Sequence, residues 1–293
     1  MKPLRAAATL SIAMAATAFA AAVPPPSELP QGTKRWMLDK TVMDVLTKAP
    51  DDVPATIAEL RKLAAAGNPQ AMAVLAHYRY KGYGLVKDES TGCQDSMKAF
   101  KEGAPNAVVI VAPCLWDGRG TGPRKDQAQA AYKMLSDTWE NYRYRDALTL
   151  MGQAQSMGLG TDTDPRSAER TFRMAATYGD GKATYLLAKL YEHGQAGAHS
   201  PADILWLYRE AALLGDTTAQ VEMARRLRND PKTVQEAYAW ASKAEKSGDT
   251  AGFKQQFEIA AKMKETGVQP DAAAMRRIND ESYQVTLAPI KLP

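Results

Sequence analysis

Few side chains in this sequence could do chemistry, and their spacing narrows the options further. Two cysteines and three histidines stand among 293 residues, and they do not assemble the usual four-ligand Cys/His zinc site. His77, His193 and His199 lack the His-Glu-x-x-His spacing of a metalloprotease. His193 is expected in the last turn of a helix, where the helix dipole favours a cation. Gly118-x-Gly120-x-Gly122 and Gly158-x-Gly160 look superficially like nucleotide-binding glycines, but no strand precedes them and no Gly-Lys-Ser/Thr closes them. Gly181-Lys182 runs straight into Ala183. The sequence has no Gly-x-Ser-x-Gly elbow for a serine nucleophile. Asp51-Asp52 and Asp162-x-Asp164 sit where an aspartate caps a helix start. No catalytic residue, cofactor site or metal site is therefore expected. Tyr78, Tyr80, Tyr83, Trp116, Tyr185, Tyr191, Trp206, Tyr208 and Trp240 remain, as residues suited to packing and to binding.

The elements that must position them come from an internal repeat. Ala71, Leu75, Ala76 and Gly82 recur as Ala107, Val111, Ala112 and Gly118, as Ala147, Met151, Gly152 and Gly158, and as Ala183, Leu187, Ala188 and Gly194. Ala219, Met223 and Ala224 form a fifth copy without the glycine, and the copies follow one another at 36, 40, 36 and 36 residues. A second block closes each unit with an Ala-rich run and Gly-Asp, as at Gly179-Asp180, Gly215-Asp216 and Gly248-Asp249; Gly67-Asn68 and Gly103 are in register. Ala and Leu four apart lay one apolar stripe along a helix of period 3.6. The small residue beside it admits a close partner helix, and the glycine ends the helix in a left-handed conformation. Asp164-Pro165, Ser200-Pro201 and Asp230-Pro231 then read as a cap followed by proline in the first turn, with Asp88 and Asp126 capping earlier units. Each unit is thus a pair of antiparallel helices, and the fold class is all-α.

Gly-x-Gly after the first helix, a capping Asp, an Ala-Ala pair and a closing Gly-Asp resemble the Sel-one-like repeat (SLR) family, a relative of tetratricopeptide repeats. The likeness covers residues 54–250 in four or five registered copies. It implies a right-handed α-solenoid that serves as a protein-binding scaffold, with no family-wide active site. The sequence departs from the pattern in four places, one of them Gly194, which is followed by Ala196 rather than a second glycine. Pro113 falls inside a first helix and should kink it. The second unit carries about four extra residues, assigned to the Gly122-Pro123 loop and the Tyr142–Arg145 stretch. The fifth unit lacks the loop glycine.

The ends read differently. Lys2 and Arg5, an uncharged Ala-rich run over 6–20, and Ala18-Phe19-Ala20 form the three regions of a signal peptide, giving a signal over 1–22. Residues 23–35 hold four prolines and read as a linker. Residues 36–53 include an N-terminal capping helix, and 251–293 give C-terminal capping helices over 252–265 and 271–282 with an extended tail from Tyr283. Removing the signal takes the formal charge from +4 to +2, which gives no electrostatic case for nucleic acid. The expected location is periplasmic or secreted, with no membrane segment after cleavage.

Two expectations about residues follow. Cys93 lies near the start of one second helix and Cys114 near the end of the next first helix, about equally far from the turn near Gly103. They should meet at the same height and form a disulfide in an oxidising compartment; the alternative is two buried thiols. On the first helices, the positions flanking the small residue read Val74, His77, Tyr80 and Lys81, then Pro113, Trp116 and Asp117, then Gln153 and Ser156, then Lys189, Glu192 and His193, then Arg225 and Arg228. In tetratricopeptide-type stacks, the resemblance implies, these line the concave surface. Tyr80 and Trp116 would anchor an apolar part of a protein or peptide partner, and Lys189, Arg225 and Arg228 its acidic part. The alternative is a solvated face. The expected function is an exported, non-enzymatic interaction scaffold in the bacterial envelope. Alternatives are an inhibitor or immunity-type protein against an envelope-acting toxin or hydrolase, or a binder of cell-wall fragments.

Overall fold

A computed structural model describes residues 38–48, 52–120, 122–247 and 250–287. The signal peptide, the Pro-rich linker and Gly248-Asp249 lie outside these residues. Among them are fourteen α-helices, one 3-10 turn and no strand. The chain divides into two compact units, the break falling between Thr171 and Phe172. The first holds α1 (Lys40–Lys48), α2 (Val53–Ala65), α3 (Pro69–Lys81), α4 (Glu89–Lys101), the 3-10 turn Pro105–Ala107, α5 (Val108–Trp116), α6 (Arg124–Tyr142), α7 (Arg145–Met157) and the start of α8 (Pro165–Thr177). The second holds the rest of α8, then α9 (Gly181–Glu192), α10 (Pro201–Leu213), α11 (Thr217–Leu227), α12 (Val234–Lys246), α13 (Thr250–Glu265) and α14 (Ala272–Leu287).

In the first unit each helix from α1 to α7 packs on its sequence neighbour, and α5 also meets α7. The same holds from α9 to α13 in the second, where α14 returns onto α10 and α12. The repeat positions are the core. Ala71, Ala76, Ala112, Ala147, Ala183, Leu187, Ala188, Ala219, Met223 and Ala224 are all buried, as are Ala175, Ala176, Ala211, Ala212 and Ala244 on the second helices. A methyl at each contact lets two backbones approach, while the large residues beside it remove apolar surface from water. Trp240, Tyr208, Leu187, Leu207 and Met223 fill the second unit with under 2% of their surface exposed.

The closing Gly-Asp pair has two tasks. Gly179 and Gly215 take positive φ to end one helix, and Asp180 and Asp216 accept hydrogen bonds from Ala183 N at 3.0 Å and Ala219 N at 2.7 Å to start the next. Asn68 does the same for α3. Asp88, Asp164 and Ser200 cap α4, α8 and α10 as expected.

Four local expectations need correcting. Asp126 is not the cap of α6, which begins earlier at Arg124 after Pro123; it lies in the first turn, where the helix dipole favours it. Asp230-Pro231 does not open α12 either. Asp230 closes a turn, its side chain accepting from Lys232 N at 2.8 Å, and Thr233 is the N-cap. The extra residues of the second unit lengthen α6 to 19 residues rather than a loop, and Arg143 ends it at φ 51°. At the far end, α14 runs on to Leu287, past the point where extended chain was expected. Pro113 is accommodated within α5, which spans only nine residues because the 3-10 turn takes up its beginning.

Candidate interaction surfaces

The disulfide is present. Cys93 on α4 and Cys114 on α5 are joined, with Cα atoms 5.9 Å apart and both residues buried. The turn between two antiparallel helices brings equidistant positions together, which is the relation the spacing implied. Ile110, Tyr80, Met97 and Val109 pack around the sulfurs. Gly92 makes room for this contact, since a Cβ there would lie 2.8–2.9 Å from the backbone and Cβ of Tyr80.

The first-helix residues of unit one are packed more deeply than a binding face would require. Val74 is 4% exposed and belongs to the core with Leu60 and Tyr78. His77 stacks on Tyr83 at 6.1 Å between centroids, and burial, aided by Lys81, pushes its pKa down to about 4. The ring is therefore neutral across the physiological range. Trp116 packs against the core around Leu115 and Leu135. Its indole nitrogen is buried without a hydrogen-bond partner, and its carbonyl accepts from Arg124 Nε at 2.9 Å. Tyr80 is half-buried beside the disulfide, and the Lys81 ammonium lies 5.5 Å from its ring. Burial raises the Tyr80 hydroxyl. Gln153 is half-buried on α7. Tyr83 in the loop after α3 and Arg124 at the start of α6 close over positions that period alone leaves open.

In unit two the expected cations are on the surface, but each carries a carboxylate of its own. Lys189 donates to Glu192 at 2.8 Å, Arg225 to Glu222 at 2.6 and 2.9 Å, and Arg228 to Glu258 at 2.8 Å. Between α9 and α11 these pairs merge into a network that the sequence reading did not assemble. Arg226 bonds both Glu192 and Glu222, its guanidinium stacks 4.5 Å over the Tyr208 ring, and the Tyr208 hydroxyl donates to Glu192 at 2.8 Å. Tyr185 packs against Tyr208 at 5.7 Å, with the Lys182 ammonium 4.7 Å from its own ring. Burial alone would raise Glu192; hydrogen bonds from Lys189, Tyr208 and Arg226 outweigh it and hold the carboxyl down at about 2. Burial and the Glu192 carboxylate push the Tyr208 hydroxyl far up. The sequence signal for part of this network was the spacing Glu222-x-x-Arg225-Arg226, which sets two i,i+3 and i,i+4 pairs.

Among the described residues no three His, Cys, Asp or Glu side chains gather as a metal would require. No helix among them is long and apolar enough to cross a membrane.

No protein-family profile and no curated protein matches the chain. Solved structures do. A Sel1 repeat protein from Oxalobacter formigenes is similar at 22% identity and a TM-score of 0.55, over 83% of this chain and 99% of that one. A protective antigen of uropathogenic Escherichia coli displaying an SLR fold aligns at 16% identity and a TM-score of 0.38, over 82% of this chain and 67% of that one. Pseudomonas aeruginosa protein 5086 aligns at 17% identity and a TM-score of 0.48, over 85% and 92%. The first of these likenesses establishes the fold: an all-α array of Sel1-type helical repeats.

Proposed function

We propose that this Sel1-type repeat fold is an exported, non-enzymatic scaffold that binds a protein partner in the bacterial envelope. The reading rests above all on the α9/α11 face, where the surface side chains of Tyr185, Lys189, Arg225 and Arg226 are already held by their neighbours, Arg226 over the buried Tyr208 ring. Tyr and Arg dominate binding hot spots. Side chains held by their own hydrogen bonds lose little further freedom on association, which favours affinity. Because Lys189, Arg225 and Arg228 are each paired with a glutamate, the partner's face is mixed in charge rather than purely acidic. Tyr80 and Lys81 form a smaller candidate contact in unit one. The signal-like first 22 residues and the buried disulfide support a location outside the cytoplasm.

The test has two arms. Osmotic-shock fractionation of cells expressing the full chain should release a protein lacking the first 20–22 residues. Affinity capture from envelope extract should yield a partner that the Lys189→Ala/Arg225→Ala variant retains poorly. A full-length cytoplasmic chain would refute export, and equal capture by the variant would refute this face.

A further inference from the structure

Unit one holds a groove of about 890 Å3 lined by α4, α5 and α6. That volume lies within the roughly 300–1,000 Å3 of ligand-binding pockets. Val111 and Leu115 of α5 form its floor, and Met97 of α4 and Met134 of α6 reach in from the two sides. Methionine is unbranched and polarisable, so a pair of them adapts to varied apolar side chains. The α4 rim carries Lys98 and Lys101, both exposed, with Glu102 beside them, and the α6 side carries Asp126. Lys98 reaches its neighbour Glu102 only at 3.9 Å with the side chain 67% exposed.

The walls are fixed before anything binds. The Cys93–Cys114 disulfide ties α4 to α5. Gln127 of α6 ties its own helix to the loop after α5, accepting from Gly120 N at 2.7 Å and donating to the Gly122 carbonyl at 2.6 Å. Gly120 has no room for a side chain, since a Cβ would stand 2.6 Å from Leu115 and 2.8 Å from Gln127. The wall α4 is 13 residues long, about 20 Å at 1.5 Å per residue. An apolar floor between two helical walls, with two exposed lysines along the α4 side, has the form of a helix-in-groove site.

We propose that this groove binds an amphipathic, acidic helix of a partner protein. Its apolar stripe lies on Met97, Leu115 and Met134 over the buried Val111, and its carboxylates face Lys98 and Lys101. The site is separate from the α9/α11 face and stands or falls independently of it.

The probe is a fluorescein-labelled synthetic helix with leucines at i, i+3, i+4 and i+7 and flanking glutamates, titrated by anisotropy into the full chain. A version with lysines for the glutamates and a scrambled version are its controls. The acidic helix should bind about tenfold tighter than the lysine version. Ala130→Trp, which fills the groove from its exposed α6 rim, should weaken binding by at least about tenfold. The Lys98→Glu/Lys101→Glu variant should reverse the preference between the two peptides. Circular dichroism melts of each variant would establish that it folds as the parent does. Binding no tighter than the scrambled peptide, or unchanged binding by folded Ala130→Trp, would overturn the proposal. So would displacement of the probe by a synthetic peptide of residues 23–37, or self-association of the chain that Ala130→Trp abolishes, since each assigns the groove another occupant.

Discussion

Replacing Gly160 with alanine tests how closely the repeat packs at its loop. Gly160 has φ 78°, and a Cβ built there would lie 2.0 Å from the carbonyl oxygen of Ala128 and 2.7 Å from Gln129 N. These are backbone atoms of α6, so no rotamer change relieves the contact. A left-handed conformation costs a residue with a Cβ about 1–2 kcal/mol, and forcing atoms into a filled site adds about 1–3 kcal/mol. Gly160→Ala should therefore destabilise by about 2–5 kcal/mol. Gly103 supplies the comparison within the same unit: it has φ 98° with nothing within 4 Å of its Cβ position. There only the conformational strain remains, partly offset by about 0.4–1 kcal/mol of lost unfolded-state entropy. Urea unfolding followed by far-ultraviolet circular dichroism and tryptophan fluorescence measures both. If Gly160→Ala loses no more stability than Gly103→Ala, the loop does not rest on α6 and the packing argument fails.

Three further outcomes are expected. The intact mass of the oxidised protein should fall by two hydrogen atoms relative to the reduced form; with 21 residues separating the cysteines, reduction should cost about 3 kcal/mol of stability, and two free thiols by alkylation would refute the pairing. Asp216 is pushed up to about 6 by burial, so the fold favours its neutral form: that contribution is complete below about pH 4 and lost as pH rises through 6. Asp216→Asn, which keeps the cap, should then match the parent near pH 4 and exceed its stability by about 1–3 kcal/mol at pH 8, and a difference independent of pH would contradict this. Trp116→Ala should lower stability by about 3 kcal/mol, because the indole is part of the core; a melting temperature equal to the parent's would return Trp116 to the surface.

The repeat was legible because one constraint wrote it five times. Ala183, Leu187 and Ala188 repeat in Ala219, Met223 and Ala224 because every helix pair must bring two backbones together at the same height. Asp180 and Asp216 repeat because each new helix start needs an acceptor. The disulfide was legible for a related reason, since equal distance from a turn is a property of sequence numbers alone. What lay beyond reach was set by tertiary contacts. A fixed offset from the small residue placed Val74, His77 and Trp116 on an open face, but neighbouring loops and helices cover them. The extra residues of the second unit could lengthen a loop or a helix, and only packing against α5 and α7 settles on α6. The pairing of Arg226 with Glu192 spans 34 residues and leaves no local pattern.

The cystine has a consequence for how the array comes apart. In a solenoid each unit touches only its neighbours, so its thermodynamics resemble a one-dimensional chain in which unfolding starts at an end and travels inward. Cys93 belongs to the second helix of one unit and Cys114 to the first helix of the next, so the bond crosses a joint of that chain rather than lying inside a link. Fraying that enters from α1 meets a covalent stop there: α4 can lose its helical structure, but it cannot leave α5. Two links are thereby made to open as one, and the boundary at which partial unfolding halts is set by chemistry rather than by the strength of any single interface.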